Sequence, residues 1–242
     1  MNKQITPYQN SAGKKVQVAE MFDNIAGNYD FLNHFLSMGI DILWRKKAIR
    51  LFKPYAPKMI LDVATGTGDF AIESLSLNPD KVIGVDISRD MVAVGCEKIK
   101  RKNLGEKIEL KYGDSEELEF ESNTFDALTV AFGVRNFENL EQGLSEMLRV
   151  VKPGGHVAII EFSQPQKFPI KQIYNFYFNK ILPGIGRMVS KDARAYTYLP
   201  ESVGAFPHGK EFLDVLNKVG YNEAKAIPLA LGIASIYFAS KK

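Results

Sequence analysis

Residues 60–69, ILDVATGTGD, are typical of a buried strand that breaks into a glycine turn and then into a helix. Gly66 and Gly68 allow the turn to approach a ligand more closely than a residue with a Cβ atom would permit. The next predicted strand, residues 82–86 (VIGVD), ends in Asp86, whose carboxylate is placed to accept hydrogen bonds from both hydroxyls of a ribose. This stretch therefore predicts a nucleoside-cofactor site.

The same turn also fits a dinucleotide site. Gly66-x-Gly68-x-x-Ala71 satisfies the loose fingerprint of such sites, and Asp86 follows at the required distance. An NAD-dependent dehydrogenase is therefore an alternative to an enzyme that uses S-adenosylmethionine. Because a lone match to this fingerprint has little specificity, the choice depends on the residues around the turn.

Acidic residues near the turn favour S-adenosylmethionine. Asp62 lies inside the first strand end, where its carboxylate would repel a pyrophosphate but can hold the amino group of a methionine moiety. A third predicted strand, residues 108–112 (IELKY), is followed by Gly113, Asp114 and Ser115. An acid at that point suits the exocyclic amine of adenine, with the backbone of Ser115 nearby. We therefore predict S-adenosylmethionine as the cofactor.

Length and composition describe one ordinary globular domain. The 242 residues suffice for one well-buried domain but not for two, and 24% are charged and 45% hydrophobic. A net charge of +3 is too small to indicate a nucleic-acid partner, although it is compatible with an anionic membrane surface. The single cysteine indicates a reducing compartment, and the sequence contains neither a signal peptide nor an apolar run of membrane-spanning length. We expect a cytoplasmic protein, with peripheral contact with the inner membrane surface.

Strand and helix patterns alternate along most of the chain, which is typical of an α/β fold with a mostly parallel sheet and helices on both faces. We predict a mobile tail (1–15) and one domain (16–242) with a helical cap (16–51) and an aromatic insert (164–207). The predicted sheet has seven strands and includes a reversed edge strand. The strands are expected near residues 58–63, 81–86, 107–112, 125–131, 155–161, 221–227 and 233–239.

In open sheets of this kind, ligands bind at the carboxyl ends of the strands. Several polar and turn residues fall there: Asp62, Gly66, Thr67, Asp86, Asp114 and residues 131–133. Each of them alone would be explained as a turn-forming residue without a ligand. Carboxylates at successive strand ends instead favour a binding site for the set.

Four segments resemble motifs of the quinone-biosynthesis C-methyltransferases: residues 29–39 (YDFLNHFLSMG) followed by Trp44 and Arg45, residues 132–136 (FGVRN), residues 149–155 (RVVKPGG) continuing to residues 161–163 (EFS), and residues 196–202 (YTYLPES). The resemblance extends over about residues 16–240. The first signature departs from the family pattern at two positions, because Asp41 stands where histidine is usual and Leu32 where methionine is usual.

The resemblance implies a class I S-adenosylmethionine-dependent methyltransferase fold, which is Rossmann-like. It also implies that Thr67, Asp86, Asp114 and Ser115 contact the cofactor. This family methylates a ring carbon of a polyprenylated quinol, either demethylmenaquinol in menaquinone synthesis or a methoxy-polyprenyl-benzoquinol in ubiquinone synthesis. We favour demethylmenaquinol, because the departures from the first signature fit the ubiquinone-type members less well.

Two other function classes are alternatives. A nucleic-acid methyltransferase is disfavoured, because the fourth strand ends in residues 131–133 (AFG) and not in the Asn/Asp-Pro-Pro-aromatic motif of adenine N6 enzymes, and no basic stripe is evident. A non-catalytic cofactor-binding scaffold of a quinone-synthesis complex is disfavoured by the presence of Asp62, Asp86 and Arg135.

Methylation of an aromatic carbon requires a base and positive charge near the developing phenolate. We predict Arg135 as the catalytic residue that supplies the charge, although a salt bridge that braces its loop is the alternative. Arginine keeps its proton in proteins, so Arg135 is not the base. The base stays open among five residues: His34, Asp41, Asp114, Tyr198 and His208.

Residues 173–182, IYNFYFNKIL, are dense in apolar and aromatic side chains. They are predicted either to line a channel for the prenyl tail of the substrate or to form a homodimer interface. In the first case, Lys180, Arg187 and Lys191 are placed to touch lipid headgroups.

Overall fold

The computed structural model describes residues 5–8, 10–30, 34, 37, 39–177 and 192–242. Within these ranges seven strands form one sheet: β1 (Met59–Val63), β2 (Lys81–Asp86), β3 (Ile108–Tyr112), β4 (Phe125–Ala131), β5 (Val151–Phe162), β6 (Asn222–Leu229) and β7 (Ala234–Ser240). Their spatial order is β3-β2-β1-β4-β5-β7-β6. The order changes direction between β1 and β4, and such a switch point opens a crevice at the carboxyl ends of parallel strands.

The strand directions confirm the predicted fold. Strands β1 to β5 pair in parallel, whereas β7 runs antiparallel to both β5 and β6. The predicted reversed strand is therefore β7, and it lies between β5 and the outermost strand, β6. Asp62 of β1 pairs with Gly84 of β2 on one side and with Thr129 of β4 on the other, so this carboxylate lies at the centre of the sheet.

Helices cover both faces of the sheet, as predicted. Neighbouring residues of β1 belong to separate hydrophobic clusters, because successive side chains of a strand point to opposite faces. Ile60 packs with Phe52, and Leu61 packs with Leu144 and Phe212. The described α-helices are α1 (Lys14–Ile25), α2 (Ile40–Phe52), α3 (Asp69–Ser74), α4 (Arg89–Arg101), α5 (Leu140–Val150), α6 (Ile170–Phe176), α7 (Ala193–Ala205) and α8 (Lys210–Val219).

The helical cap and the aromatic insert pack against each other. Val18 and Met21 of α1 share a hydrophobic cluster with Tyr174 of α6 and Tyr198 of α7. Helix α1 begins at Lys14, so the cap starts two residues inside the predicted tail of residues 1–15. This packing places both additions over the carboxyl-end side of the sheet.

Some predicted features lie outside the described residues: Leu32 with its neighbours Phe31, Phe35 and Leu36, and Lys180, Arg187 and Lys191 of the insert. In the part of the chain that the structure does describe, every helix is too short or too polar to cross a bilayer.

Candidate active site

A cleft of about 660 Å³ lies at the carboxyl ends of the central strands. Four of the predicted cofactor residues line it, namely Gly66, Asp86, Asp114 and Ser115, whereas Asp62, Thr67 and Arg135 lie outside its lining. Side chains from the cap, the strand ends and the turn after β4 complete the walls: Lys15, Val18, Phe22, Tyr29, Met91, Phe132, Asn136 and Phe137.

Asp62 lies beneath the glycine turn and holds it in place. Its two carboxylate oxygens accept hydrogen bonds from the hydroxyls of Thr65 (2.6 Å) and Thr129 (2.7 Å). Burial raises the pKa of Asp62 to about 6, although the two hydroxyl bonds oppose that shift. The structure therefore places this carboxylate behind the cleft wall, in a position to orient the turn.

Asp86 faces the cleft and is already oriented by the backbone. One oxygen accepts from the N–H of Gly66 at 2.7 Å and the other from the N–H of Ser88 at 2.8 Å. Gly66 makes this contact with a φ of 55°, a conformation that favours glycine. Burial raises the pKa of Asp86 to about 6, and the two backbone bonds oppose the shift. A pre-oriented carboxylate of this kind can accept further hydroxyl donors.

Asp114 meets the cap helix at the opposite end of the cleft. Its Oδ2 contacts Nζ of Lys15 at 2.5 Å, and its Oδ1 accepts from the N–H of Glu116 at 2.8 Å. The sequence does not predict this role of Lys15, because 99 residues separate it from its partner and no local pattern links them. An adenine amine at Asp114 would share this carboxylate with Lys15.

Thr67 faces a buried ionic network behind the turn. Its hydroxyl donates to Asp30 of the cap and accepts from Nζ of Lys98 at 2.8 Å. Lys98 also contacts Asp69 at 2.9 Å and Asp30 at 2.5 Å. One ammonium of α4 therefore ties the cap to the glycine turn, and Thr67 acts through this network.

The cap residue that departs from the family pattern belongs to the same network. Asp41 contacts Arg45 at 2.5 Å and Nδ1 of His34 at 2.9 Å. Arg45 and His34 also reach Asp69, at 3.5 and 3.3 Å. The spacing of Asp41 and Arg45 by four residues is the only signal in the sequence for this cluster. His34 and Asp41, two candidates for the base, thus contact each other, and Asp41 also forms an ion pair with Arg45.

Arg135 lies in a buried ion pair next to the cleft. Its Nη1 donates to Oε1 of Glu161 at 2.9 Å and also to the carbonyl of Phe132. Glu161 is fully buried, and burial raises the pKa of its carboxyl against the lowering effect of Arg135. The bracing salt bridge that was the alternative for Arg135 is present, and it is formed with a residue that the motif EFS had already brought to attention.

The turn that carries Arg135, residues Val134–Asn136, also borders the cleft through Asn136. Gly133 lets this turn approach the first glycine turn, because a Cβ atom there would lie 2.5 Å from Cβ of Ala64. Helix α7 packs against the other side of the turn. The turn therefore separates the cleft from the buried region around Arg135.

Comparison with known proteins gives matches that extend over nearly the whole chain. A model of the ubiE/COQ5 methyltransferase family matches residues 9–241. A demethylmenaquinone methyltransferase of Bacteroides fragilis is 50% identical over 240 residues, covering 99% of this chain and 98% of the relative. A ubiquinone/menaquinone biosynthesis C-methyltransferase of Geotalea daltonii is 46% identical, and the match covers 95% of this chain and 97% of the relative. The fold is similar to that of a SAM-dependent methyltransferase of Thermotoga maritima, with a TM-score of 0.63 and 18% identity. The superposition covers 92% of this chain and 99% of the other.

Proposed function

Because the chain belongs to the ubiE/COQ5 methyltransferase family, we propose that it transfers a methyl group from S-adenosylmethionine to a ring carbon of demethylmenaquinol. The observation that carries this proposal is that the cleft adjoins a buried cation. Asp86 and Asn136 both line the cleft, and Arg135 directly precedes Asn136 in the same turn. The 50% identity to a demethylmenaquinone methyltransferase supports the choice of the naphthoquinol.

The residues of the cleft fit S-adenosylmethionine. Asp86 supplies acceptors for ribose hydroxyls, and Asp114 supplies an acceptor for the adenine amine, with Ser115 beside it. The backbone at Gly66 borders the part left for the methionine moiety. We propose that Asp62 and Thr67, which were predicted as direct contacts, act by holding the glycine turn.

Arg135 prepares the ring for methylation. When a quinol hydroxyl loses its proton, the phenolate makes its ortho carbon nucleophilic, and the bound cofactor supplies the methyl group. Held by Asp86 and Asp114, S-adenosylmethionine would give up its methyl group to this carbon and leave as S-adenosylhomocysteine, and the methylated carbon would then lose its ring proton. Arg135 stabilises the phenolate charge, while Glu161 holds the guanidinium in place. A base takes up the hydroxyl proton and the ring proton and passes them to the solvent. The identity of this base stays open among the five candidates.

A prenylated substrate requires access from a lipid surface, and α6 offers a face for it. Phe168, Ile173 and Phe176 are 81%, 63% and 62% exposed, and Lys167 and Lys171 lie beside them and are also exposed. Aromatic side chains flanked by lysines suit an anionic bilayer surface. We therefore propose that this face contacts the membrane while the substrate enters.

Vesicle flotation tests the membrane contact. We expect the protein to float with vesicles that contain anionic lipid, and Phe168→Ser/Phe176→Ser to float several times less. Leu43→Ser, which removes an exposed apolar residue from α2, serves as the matched control. The alternative to membrane contact is that a second copy of the chain covers this face in a homodimer. Loss of a dimer in sedimentation by the double variant, with unchanged flotation, would contradict the proposal.

A methyl-transfer assay with labelled S-adenosylmethionine tests the reaction itself. Demethylmenaquinol and the demethylated benzoquinol are offered side by side in detergent under reducing conditions. We expect transfer to the naphthoquinol. Transfer to both rings would support a second candidate function, an enzyme shared by both quinone pathways. This candidate is favoured by the 46% identical relative, whose name refers to both ubiquinone and menaquinone biosynthesis. Cofactor binding without transfer to either ring would refute the quinol substrate.

A further inference from the structure

We infer that the hydroxyl of Tyr198 binds a ring oxygen of the substrate, an inference that rests on the proposed function. Tyr198 lies in α7 and is 1% exposed. Its hydroxyl has no hydrogen-bond partner among the residues that the structure describes. Buried hydroxyls are satisfied in the great majority of cases, so an unsatisfied one indicates a missing partner.

Two other buried tyrosines, Tyr221 and Tyr237, show the usual arrangement. Tyr221 donates to the carbonyl of Leu144 at 2.9 Å, and the hydroxyl of Tyr237 accepts from the N–H of Gly209 at 2.8 Å. Each of these hydroxyls has a backbone partner in the core. Tyr198 differs from them because its hydroxyl has no such backbone partner among the described residues.

The surroundings of Tyr198 specify what the missing partner is. Tyr198 interacts electrostatically with Arg135 and Glu161, and α7 packs against the turn that carries Arg135. Two further buried atoms of this turn, Nε of Arg135 and Oδ1 of Asn136, also have no partner within the described ranges. The region therefore offers one N–H donor, one acceptor and one hydroxyl. A dihydroxylated aromatic ring presents the complementary set, with a phenolate oxygen for the donors and a hydroxyl for the acceptor.

Tyr198 acts here as a hydrogen-bond donor. Burial raises the pKa of its hydroxyl to about 12, and Arg135 only partly opposes this. At neutral pH the phenol therefore keeps its proton and donates it in a hydrogen bond to the oxygen of the substrate. This assignment removes Tyr198 from the candidates for the base and makes it a substrate-binding residue.

The test compares Tyr198→Phe with the wild-type protein. We expect kcat/KM for the naphthoquinol to fall by about tenfold to a hundredfold, as for the loss of a hydrogen bond to a charged oxygen. The Kd for S-adenosylmethionine stays unchanged. The melting temperature stays equal or rises, because the variant removes a buried hydroxyl that has no partner in the free protein.

Tyr221→Phe is the matched control. It removes the hydrogen bond that the hydroxyl donates to the carbonyl of Leu144, so it lowers the melting temperature and leaves the KM for the quinol unchanged. Unaltered kcat/KM in Tyr198→Phe would overturn the role of Tyr198, and so would a loss of activity that matches a loss of folded protein. If the wild-type protein methylates neither quinol, the proposed function fails first. If the wild-type protein is active and Tyr198→Phe is equally active, only the role of Tyr198 fails.

Discussion

The two halves of the candidate site differ in how their polar groups are satisfied. In the cofactor half, both oxygens of Asp62 and both oxygens of Asp86 already accept hydrogen bonds from the protein. In the half around Arg135, Nε of that residue and the hydroxyl of Tyr198 are buried without partners among the described residues. A group left in this state costs about 1–3 kcal/mol. The difference supports the proposal that the cofactor half is preorganised and that a bound ligand completes the substrate half.

The largest effect is expected when the ion pair of the substrate half is broken. Arg135→Met leaves Glu161 buried without its cation, which lowers the free energy of unfolding by about 3–5 kcal/mol and abolishes methyl transfer. Arg135→Met/Glu161→Gln removes the uncompensated charge, so we expect it to regain most of the stability and none of the activity. Urea unfolding measures both variants. Equal stability of the single and double variants would show that Glu161 is not charged in the native protein.

A large effect of pH is expected at Asp62 in the cofactor half. Its pKa of about 6 lies above the value of about 4 in an unfolded chain, so the native protein binds this proton more tightly. The stability that Asp62 contributes is therefore present below about pH 4 and is lost as pH rises to about 6. Relative to the wild-type protein, Asp62→Asn should gain up to roughly 3 kcal/mol between pH 4 and pH 7.

Urea unfolding of Asp62→Asn and the wild-type protein across that pH range measures the difference. Asp126→Asn serves as a control, because pairing with Lys152 and two backbone N–H groups lowers the pKa of Asp126 despite partial burial. The stability that Asp126 contributes is present above about pH 4 and is lost only as the pH falls further, so Asp126→Asn should differ from the wild-type protein by a nearly constant amount between pH 4 and pH 7. A constant difference between Asp62→Asn and the wild-type protein would mean that the Asp62 carboxylate is not destabilised by burial.

A smaller effect is expected when Asp86, the buried carboxylate that lines the cleft, loses its charge. Asp86→Asn keeps the shape of the side chain but replaces one acceptor with a donor, so the Kd for S-adenosylmethionine should rise about 10- to 100-fold. Asp126→Asn, at the other end of the sheet, should leave this Kd unchanged. Titration calorimetry measures both. Unchanged affinity in Asp86→Asn would place the ribose elsewhere.

The smallest effect is expected at the surface of the cofactor half. The side chains of Lys15 and Asp114 are 31% and 24% exposed, and ion pairs of this kind contribute about 0–1 kcal/mol. Lys15→Ala should therefore change the Kd for S-adenosylmethionine by less than about fivefold, and high salt should reduce the difference further. A change of more than tenfold would mean that Lys15 itself binds the cofactor.

The sequence predicted the cofactor half better than the substrate half, and the reason is physical. Asp86 and Asp114 follow strands with clear patterns, and parallel strands bring their carboxyl ends to one edge. Both residues line the cleft. Asp62 and Thr67 were assigned to the correct turn, but the direction of their side chains depends on the backbone conformation at Gly66, which spacing does not reveal.

The contacts that the sequence did not predict join distant parts of the chain. Lys98 binds Asp69 across 29 residues and Arg135 binds Glu161 across 26, and neither pair has a local signature. The family motifs contain both Arg135 and Glu161, but only the folded structure shows that the two residues pair. Tyr198 was one of several candidates for the base until its pKa and surroundings were known.

Two neighbouring lysines of α1 reach both halves of the site. Lys15 contacts Asp114 in the cofactor half, and the ammonium of Lys14 donates to the carbonyls of Arg135 and Phe137 at 2.9 Å each. Any movement of this one helix end would therefore loosen the cofactor cleft and the turn of Arg135 at the same moment. If this movement limits product release, S-adenosylhomocysteine and the methylated quinol would dissociate with the same rate constant. If each half of the site opened separately, the two products would dissociate with different rate constants.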